Sequence, residues 1–159
     1  MEPHQVTPIP VVNAVIRAVA SKNIDEFLPL LAPELRPCST RNEELFIGPQ
    51  CKEGEAEGSL VPTILRASCS GARLRVDSAK GAVSDLISKG FAIEAVYKPA
   101  REDAESYLVV FHRIAPDSSF PTRIGIMVNA LGITGYTIGC PTEPFLHGEN
   151  GATIVYRAP

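Results

Sequence analysis

The side chains best suited to chemistry gather between Val83 and Ala130, in short runs separated by gaps rich in Gly, Pro, Asp and Ser. Along a strand, successive side chains point to opposite faces. Turns centred near Lys89, Glu102 and Ser118 set a register across Val83–Ile87, Phe91–Lys98, Ser106–Ile114 and Thr122–Ala130. In that register Glu94 faces Ser84 and Val110, and Val110 faces Ile126. One sheet face then carries Glu94 and His112 on diagonal positions of neighbouring strands. Diagonal neighbours stand about 7–8 Å apart, a gap that Glu and His can bridge. A carboxylate that orients an imidazole is an acid/base dyad, the equipment for moving a proton on a bound substrate.

The reverse face carries Tyr97 opposite Tyr107, with Asn129 beyond them and Phe111 and Met127 alongside. Phenol and amide groups in an apolar setting hold a substrate carbonyl or stabilise an oxyanion. Asp85 on the same face is placed to act as a general base. Glu94, His112 and Asp85 are thus the candidate catalytic residues. Tyr97, Tyr107, Asn129, Phe111 and Met127 are the candidate substrate-binding residues. Only one face can line a closed pocket, and both remain open because neither is plainly polar. A slip of one residue at any hairpin exchanges a strand's faces.

Composition narrows the classes. At 159 residues the chain is the size of one domain, and no linker divides residues 1–159. A net charge of −3 and a pI near 5.6 argue against nucleic acid as a partner. The closest approach to a basic cluster, Arg73-Leu74-Arg75, reads as a solvated strand face. Cys38, Cys51, Cys69 and Cys140 show no zinc-finger spacing, and neither metal nor cofactor is expected. The N-terminus lacks the pattern of a signal peptide, and no apolar run approaches the roughly 20 residues of a membrane span. Free cysteines and a cytoplasmic setting are therefore expected.

Several elements must position these residues. Residues 1–10 read as an extended arm. Val11, Val12, Val15, Ile16 and Val19 fall on one helical face, with a strand as the alternative because of the β-branched content. Asn23 caps a second helix with Glu26 as capping-box partner, and Pro29 shortens it. Leu45–Ile47 reads as a short strand and Lys52–Gly58 as a loop. Ser59 caps a third helix, with Leu60, Ile64 and Leu65 on its buried face. Arg73–Asp77 alternates as a strand. The gaps between the four later runs are too short for crossover helices, so these strands pair antiparallel in sequence. Gly135–Cys140 reads as an edge strand, and residues 141–159 as an irregular tail with a short strand near Ala152–Tyr156. Phe145-Leu146-His147 could fold over a pocket mouth.

The segments Val11–Ala20 and Asn23–Leu35, the latter ending Ala32-Pro33-Glu34, resemble the opening of the SnoaL-like group of the nuclear transport factor 2-like superfamily. Phe91–Tyr97, Tyr107–Ile114 and Arg123–Asn129 look like its last three strands. The resemblance spans roughly residues 8–140. It implies an α+β fold, N-terminal helices packed on a strongly curved antiparallel sheet that closes as a cone-shaped barrel. It also implies a deep apolar pocket and a homodimer. Members include polyketide cyclases, ketosteroid isomerases, dehydratases and terpenoid isomerases, which work without a cofactor on hydrophobic metabolites, and also non-catalytic binding domains. No catalytic residue carries over from those patterns. The expectation is a cofactor-independent isomerase, cyclase or dehydratase, with a ligand-binding or protein-interaction domain as the alternative.

Overall fold

The computed structural model describes residues 6–41, 48–67, 72–99, 105–115, 122–138 and 152–159. Helix α1, Pro10–Ala20, starts on a proline whose missing N–H would have had no helical partner. Its stripe of Val12, Val15, Ile16 and Val19 is buried. Thr7 N donates to Asn13 Oδ1 (3.0 Å) and Asn13 Nδ2 donates to Thr7 O (2.6 Å), which ties the preceding arm to the helix. The helical reading of Val11–Ala20 holds over its strand alternative. Asn23 caps α2, Ile24–Phe27, by accepting from the N–H groups of Asp25 and Glu26. A single 3-10 turn, Leu28–Leu30, follows at Pro29.

Eight strands among the described residues form one sheet: β1 Glu34–Pro37, β2 Leu60–Ala67, β3 Ala72–Arg75, β4 Phe91–Lys98, β5 Ser106–Arg113, β6 Arg123–Asn129, β7 Gly132–Ile138 and β8 Thr153–Arg157. Their order is β1-β2-β7-β6-β5-β4-β8, and β3 pairs with the other edge of β2. β2 and β7 run parallel, while the other pairs are antiparallel. Helix α3, Val76–Ser88, connects β3 to β4.

This architecture overturns the cone-shaped α+β barrel. Strand dominates, the sheet does not close on itself, and α3 arises in the middle of the chain instead of with the N-terminal helices. Two elements account for most of the change. The expected third helix after Ser59 does not form, because Leu60–Ala67 is a strand. Val61, Thr63 and Ile64 are all β-branched and buried, while Pro62 is exposed. Val83–Ile87 is not a strand but the second half of α3. Ala79, Val83, Leu86 and Ile87 are its buried stripe, spaced i, i+4, i+7, i+8. Gly132–Ile138 is an interior strand, not an edge. Leu45–Ile47 lies outside the described residues, as does Phe145-Leu146-His147.

One sheet face packs against α1 and α3. Val96, Tyr107, Val109, Phe111, Ile124, Ile126 and Val128 come from this face and meet the helix stripes in the main core. A smaller cluster on the reverse face joins Ala95, Tyr97, Leu108 and Val110, with Met127 against it. Helix α3 reaches β2, whose Ile64 joins the main core, but part of the β1–β2 pair is open. There Leu35 opposes Pro62 and Pro37 opposes Leu60, and all four are exposed. No helix of the described residues is long and apolar enough to cross a membrane.

Two predictions follow from the packing. Phe111→Ala removes a side chain that is 0% exposed and should cost about 3–5 kcal/mol in denaturant unfolding. Gly132 has φ +136°, and a Cβ there would stand 2.2 Å from Leu30 O. Gly132→Ala should therefore lower the thermal midpoint, whereas alanine at exposed, right-handed Gly81 should not.

Candidate functional site

The register decides which candidate residues meet. Ile93 pairs with Phe111 as expected, but β4 then bulges at Glu94, so that Ala95 faces Val110 and Tyr97 faces Leu108. Across β5–β6 the pairing is also one residue from the expected one: Val110 faces Gly125, and Val109 faces Ile126. Tyr97 and Tyr107 thus stand on opposite faces and are not a cross-strand pair. Phe111 and Tyr107 belong to the helix-covered core, whereas Tyr97 and Met127 belong to the reverse face. Ser84 lies on α3, so Glu94 has no strand partner there.

The proposed acid and base do not engage one another. Glu94 Oε2 accepts from Arg123 Nε at 2.9 Å. His112 is exposed, opposite Ala92 on one side and Arg123 on the other. Among the described residues no hydrogen bond or ion pair joins it to Glu94. Asp85 is exposed on α3, and its carbonyl accepts from Ser88 Oγ (2.6 Å). Glu94 and His112 thus both adjoin Arg123 without bonding to each other, whereas Asp85 lies apart on α3.

Three of the expected binding residues do come together. Tyr107, Met127 and Asn129 border an open cleft of about 430 Å³, together with Pro33, Glu34, Leu65, Arg73, Ser106, Leu131 and Thr134. Its floor follows from the sheet order. The parallel β2–β7 pair sets Leu65 beside Gly135, and β6 sets Met127 on the other side of that glycine. Asn129 shapes one end: its Oδ1 accepts from Leu131 N (2.8 Å) and Gly132 N (3.2 Å), fixing the β6–β7 turn.

The polar wall comes from residues that no local pattern singles out together. Arg73 Nη1 lies 2.9 Å from Glu34 Oε2, and Arg36 Nη2 lies 2.6 Å from Glu34 Oε1. Glu34 closes the Ala32-Pro33-Glu34 segment, and Arg73 belongs to the pair read as a solvated strand face. That reading is corrected: the Arg73 and Arg75 side chains are 25% and 14% exposed, and each faces a carboxylate.

Beside the cleft, Arg75 grips Glu55 with both prongs, Nη1–Oε2 at 2.7 Å and Nη2–Oε1 at 2.8 Å. Lys52 N also donates to Glu55 Oε2 (2.8 Å). The Arg75 hydrogen bonds, then that backbone N–H, pull the Glu55 carboxyl down from 4.5 to about 2. Lys52 Nζ hydrogen-bonds Asp77 and lowers its carboxyl too. Cys38, next after β1, forms a disulfide with Cys51. The expectation of free cysteines is therefore wrong for this pair, because β1 and the Ser39–Gln50 bridge bring two distant positions to one corner. Cys69 and Cys140 lie outside the described residues.

Glu55 gives a pH prediction. Its folded value lies below its unfolded one, so its contribution is complete above about pH 4.5 and is lost as pH falls toward 2. Thermal midpoints of the parent and Glu55→Gln should differ most above pH 5 and converge between pH 4.5 and 2. A constant difference across that range would contradict the Arg75–Glu55 pairing.

Compared with known protein families and with curated proteins, the chain matches no family model and no curated protein, and no family is assigned to it.

Proposed function

We propose that this domain is a non-catalytic binder of small amphipathic ligands, with the Leu65–Met127 cleft as its site. The observation that carries this is the lining itself. Leu65, Met127, Leu131 and Pro33 offer apolar surface, and Arg73 offers a cation at the wall. A ligand with an apolar body and one anionic group fits both. Glu34 would not be stranded if Arg73 turned to such a ligand, because Arg36 already holds its other oxygen. The cost of leaving a carboxylate unpaired is thereby avoided.

The acid/base reading, an isomerase, cyclase or dehydratase acting on a hydrophobic metabolite, is the second one. It draws on Tyr107, Met127 and Asn129 bordering the cleft. It lacks the expected bases beside them: Glu94, His112 and Asp85 are positioned elsewhere, and the carboxylate that does border the cleft, Glu34, is held by Arg73 and Arg36. A cytoplasmic setting belongs to this proposal too. It would make Cys38–Cys51 an exchangeable bond, since permanent disulfides are rare in reducing compartments.

An aromatic sulfonate such as anilinonaphthalene sulfonate tests the cleft directly. Its fluorescence should rise saturably with one site per chain. Arg73→Ala should weaken binding about 10-fold or more, the scale of a lost charge-assisted hydrogen bond. Leu131→Asp, at a side chain already 85% exposed, should weaken it without unfolding the chain. Binding that is not saturable, or that ignores both variants, would refute the site. Hydrophobic hydroxyketones recovered unchanged after incubation would support binding, whereas an isomer or loss of water would favour the enzyme.

A further inference from the structure

The corner where β1 ends has a donor set that the cleft does not use. Cys38 is 2% exposed, and Cys51 and Glu55 are half-buried. Cys38 Sγ lies 3.8 Å from Glu55 Oε2 and 3.7 Å from the Ala56 carbonyl oxygen. Cys51 Sγ lies 3.6 Å from that same carbonyl. A tetrahedral zinc ion, with Zn–S about 2.3 Å and Zn–O about 2.1 Å, holds neighbouring sulfur and oxygen ligands about 3.6 Å apart. Three edges of such a tetrahedron are thus already present. One thiolate pair and one carboxylate, all within 4.8 Å of one another, supply the side-chain donors.

Backbone hydrogen bonds anchor both cysteines in addition to the disulfide. Cys38 N donates to Ser59 O and Gly58 N donates to Cys38 O, both at 2.9 Å. Cys51 N donates to Ser39 O (2.9 Å), and Ser39 N donates to Pro49 O (3.0 Å). Breaking the S–S bond therefore leaves both sulfurs anchored side by side. They need only separate to about 3.8 Å, the sulfur–sulfur edge of a zinc tetrahedron. Arg75 completes the design from outside. Ligating carboxylates are commonly oriented by an outer hydrogen-bond partner, and Arg75 already plays that part for Glu55. Charge also balances: two thiolates and one carboxylate meet one divalent cation and one guanidinium.

We propose that reduced Cys38 and Cys51, with Glu55, bind one zinc ion, and that the Ala56 carbonyl or a water fills the fourth position. Disulfide and metal are then alternative fastenings of one corner. A dithiol reductant delivers two electrons and two protons to the Cys38–Cys51 bond and departs as its own disulfide. The two thiols then release their protons as the metal binds. The site shares no residue with the cleft, so either can fail alone.

The test uses the full chain carrying Cys69→Ser and Cys140→Ser, so that only this pair contributes sulfur. It is reduced with a phosphine, which takes up the oxygen of water and leaves no competing dithiol, and is then desalted without oxygen. Zinc is titrated against a chromogenic chelator, and cobalt replaces zinc as a spectroscopic probe. The reduced chain should bind one zinc ion and show thiolate-to-cobalt charge-transfer absorption, and the oxidised chain should do neither. Circular dichroism should be the same in both states. Glu55→Gln, which keeps both sulfurs, should weaken zinc roughly 10- to 100-fold. The proposal is overturned if the folded, reduced chain binds no zinc or if the oxidised chain binds equally. It is overturned too if Glu55→Gln leaves affinity unchanged, or if zinc binds only a chain that has lost its fold.

Discussion

Two backbones meet at Gly135, and the remainder of the molecule is arranged around that contact. A Cβ on this residue would stand 2.5 Å from Leu65 O and 2.8 Å from Met127 Cε, so only glycine admits the parallel β2–β7 pair. Among the described residues that pair is the one strand pairing between the early strands β1–β3 and the later meander β4–β7. It makes a single open sheet of two strand groups that the chain builds separately, on either side of α3. It also brings Leu65 up to Met127 and, through β3, Arg73 to the same wall. Gly132 supports the junction from one end. The 3-10 turn comes close against it, and Ala32 N donates to Ile133 O (2.8 Å).

Local patterns expose what local forces decide. The stripe of Val12, Val15, Ile16 and Val19 marks α1, the Asn23 cap marks α2, and the run Phe91–Lys98, rich in apolar residues, matches β4 at both ends. β5 and β6 are bounded within a residue or so. Where tertiary pairing decides, pattern misleads. Leu60, Ile64 and Leu65 have helical spacing, yet β2 is a strand because β1, β3 and β7 all bond to it. Short windows also hide α3: Val83–Ile87 alone is too short to show a helical stripe, which becomes visible only from Ala79.

The same logic governs the site. One bulge at Glu94 and a one-residue difference across β5–β6 suffice to part Tyr97 and Met127 from Tyr107 and Phe111. Side-chain period 2 makes register an all-or-nothing property, and a bulge has no reliable sequence mark. Tyr107, Met127 and Asn129 were legible as one group because they lie near one end of adjoining strands. Glu34 and Arg73 were not, since 39 positions separate them in the chain and only the sheet order joins them. The Cys38–Cys51 bond is hidden for a like reason: its partners meet through the short pairing of Ser39 with Gln50.

A closed cone would seal an apolar chamber and bring acid and base into it. An open sheet does neither, and the binding reading proposed above rests on that difference. Everything therefore turns on whether β2 joins β7. Nuclear Overhauser contacts between backbone protons of Leu65–Ala67 and Gly135–Thr137 measure this directly in the folded chain. The account predicts the one-directional, evenly spaced pattern of a parallel pair, and no contacts between β8 and β1 or β3. Absence of the β2–β7 contacts, or contacts that close the sheet from β8 onto β1 or β3, would contradict it.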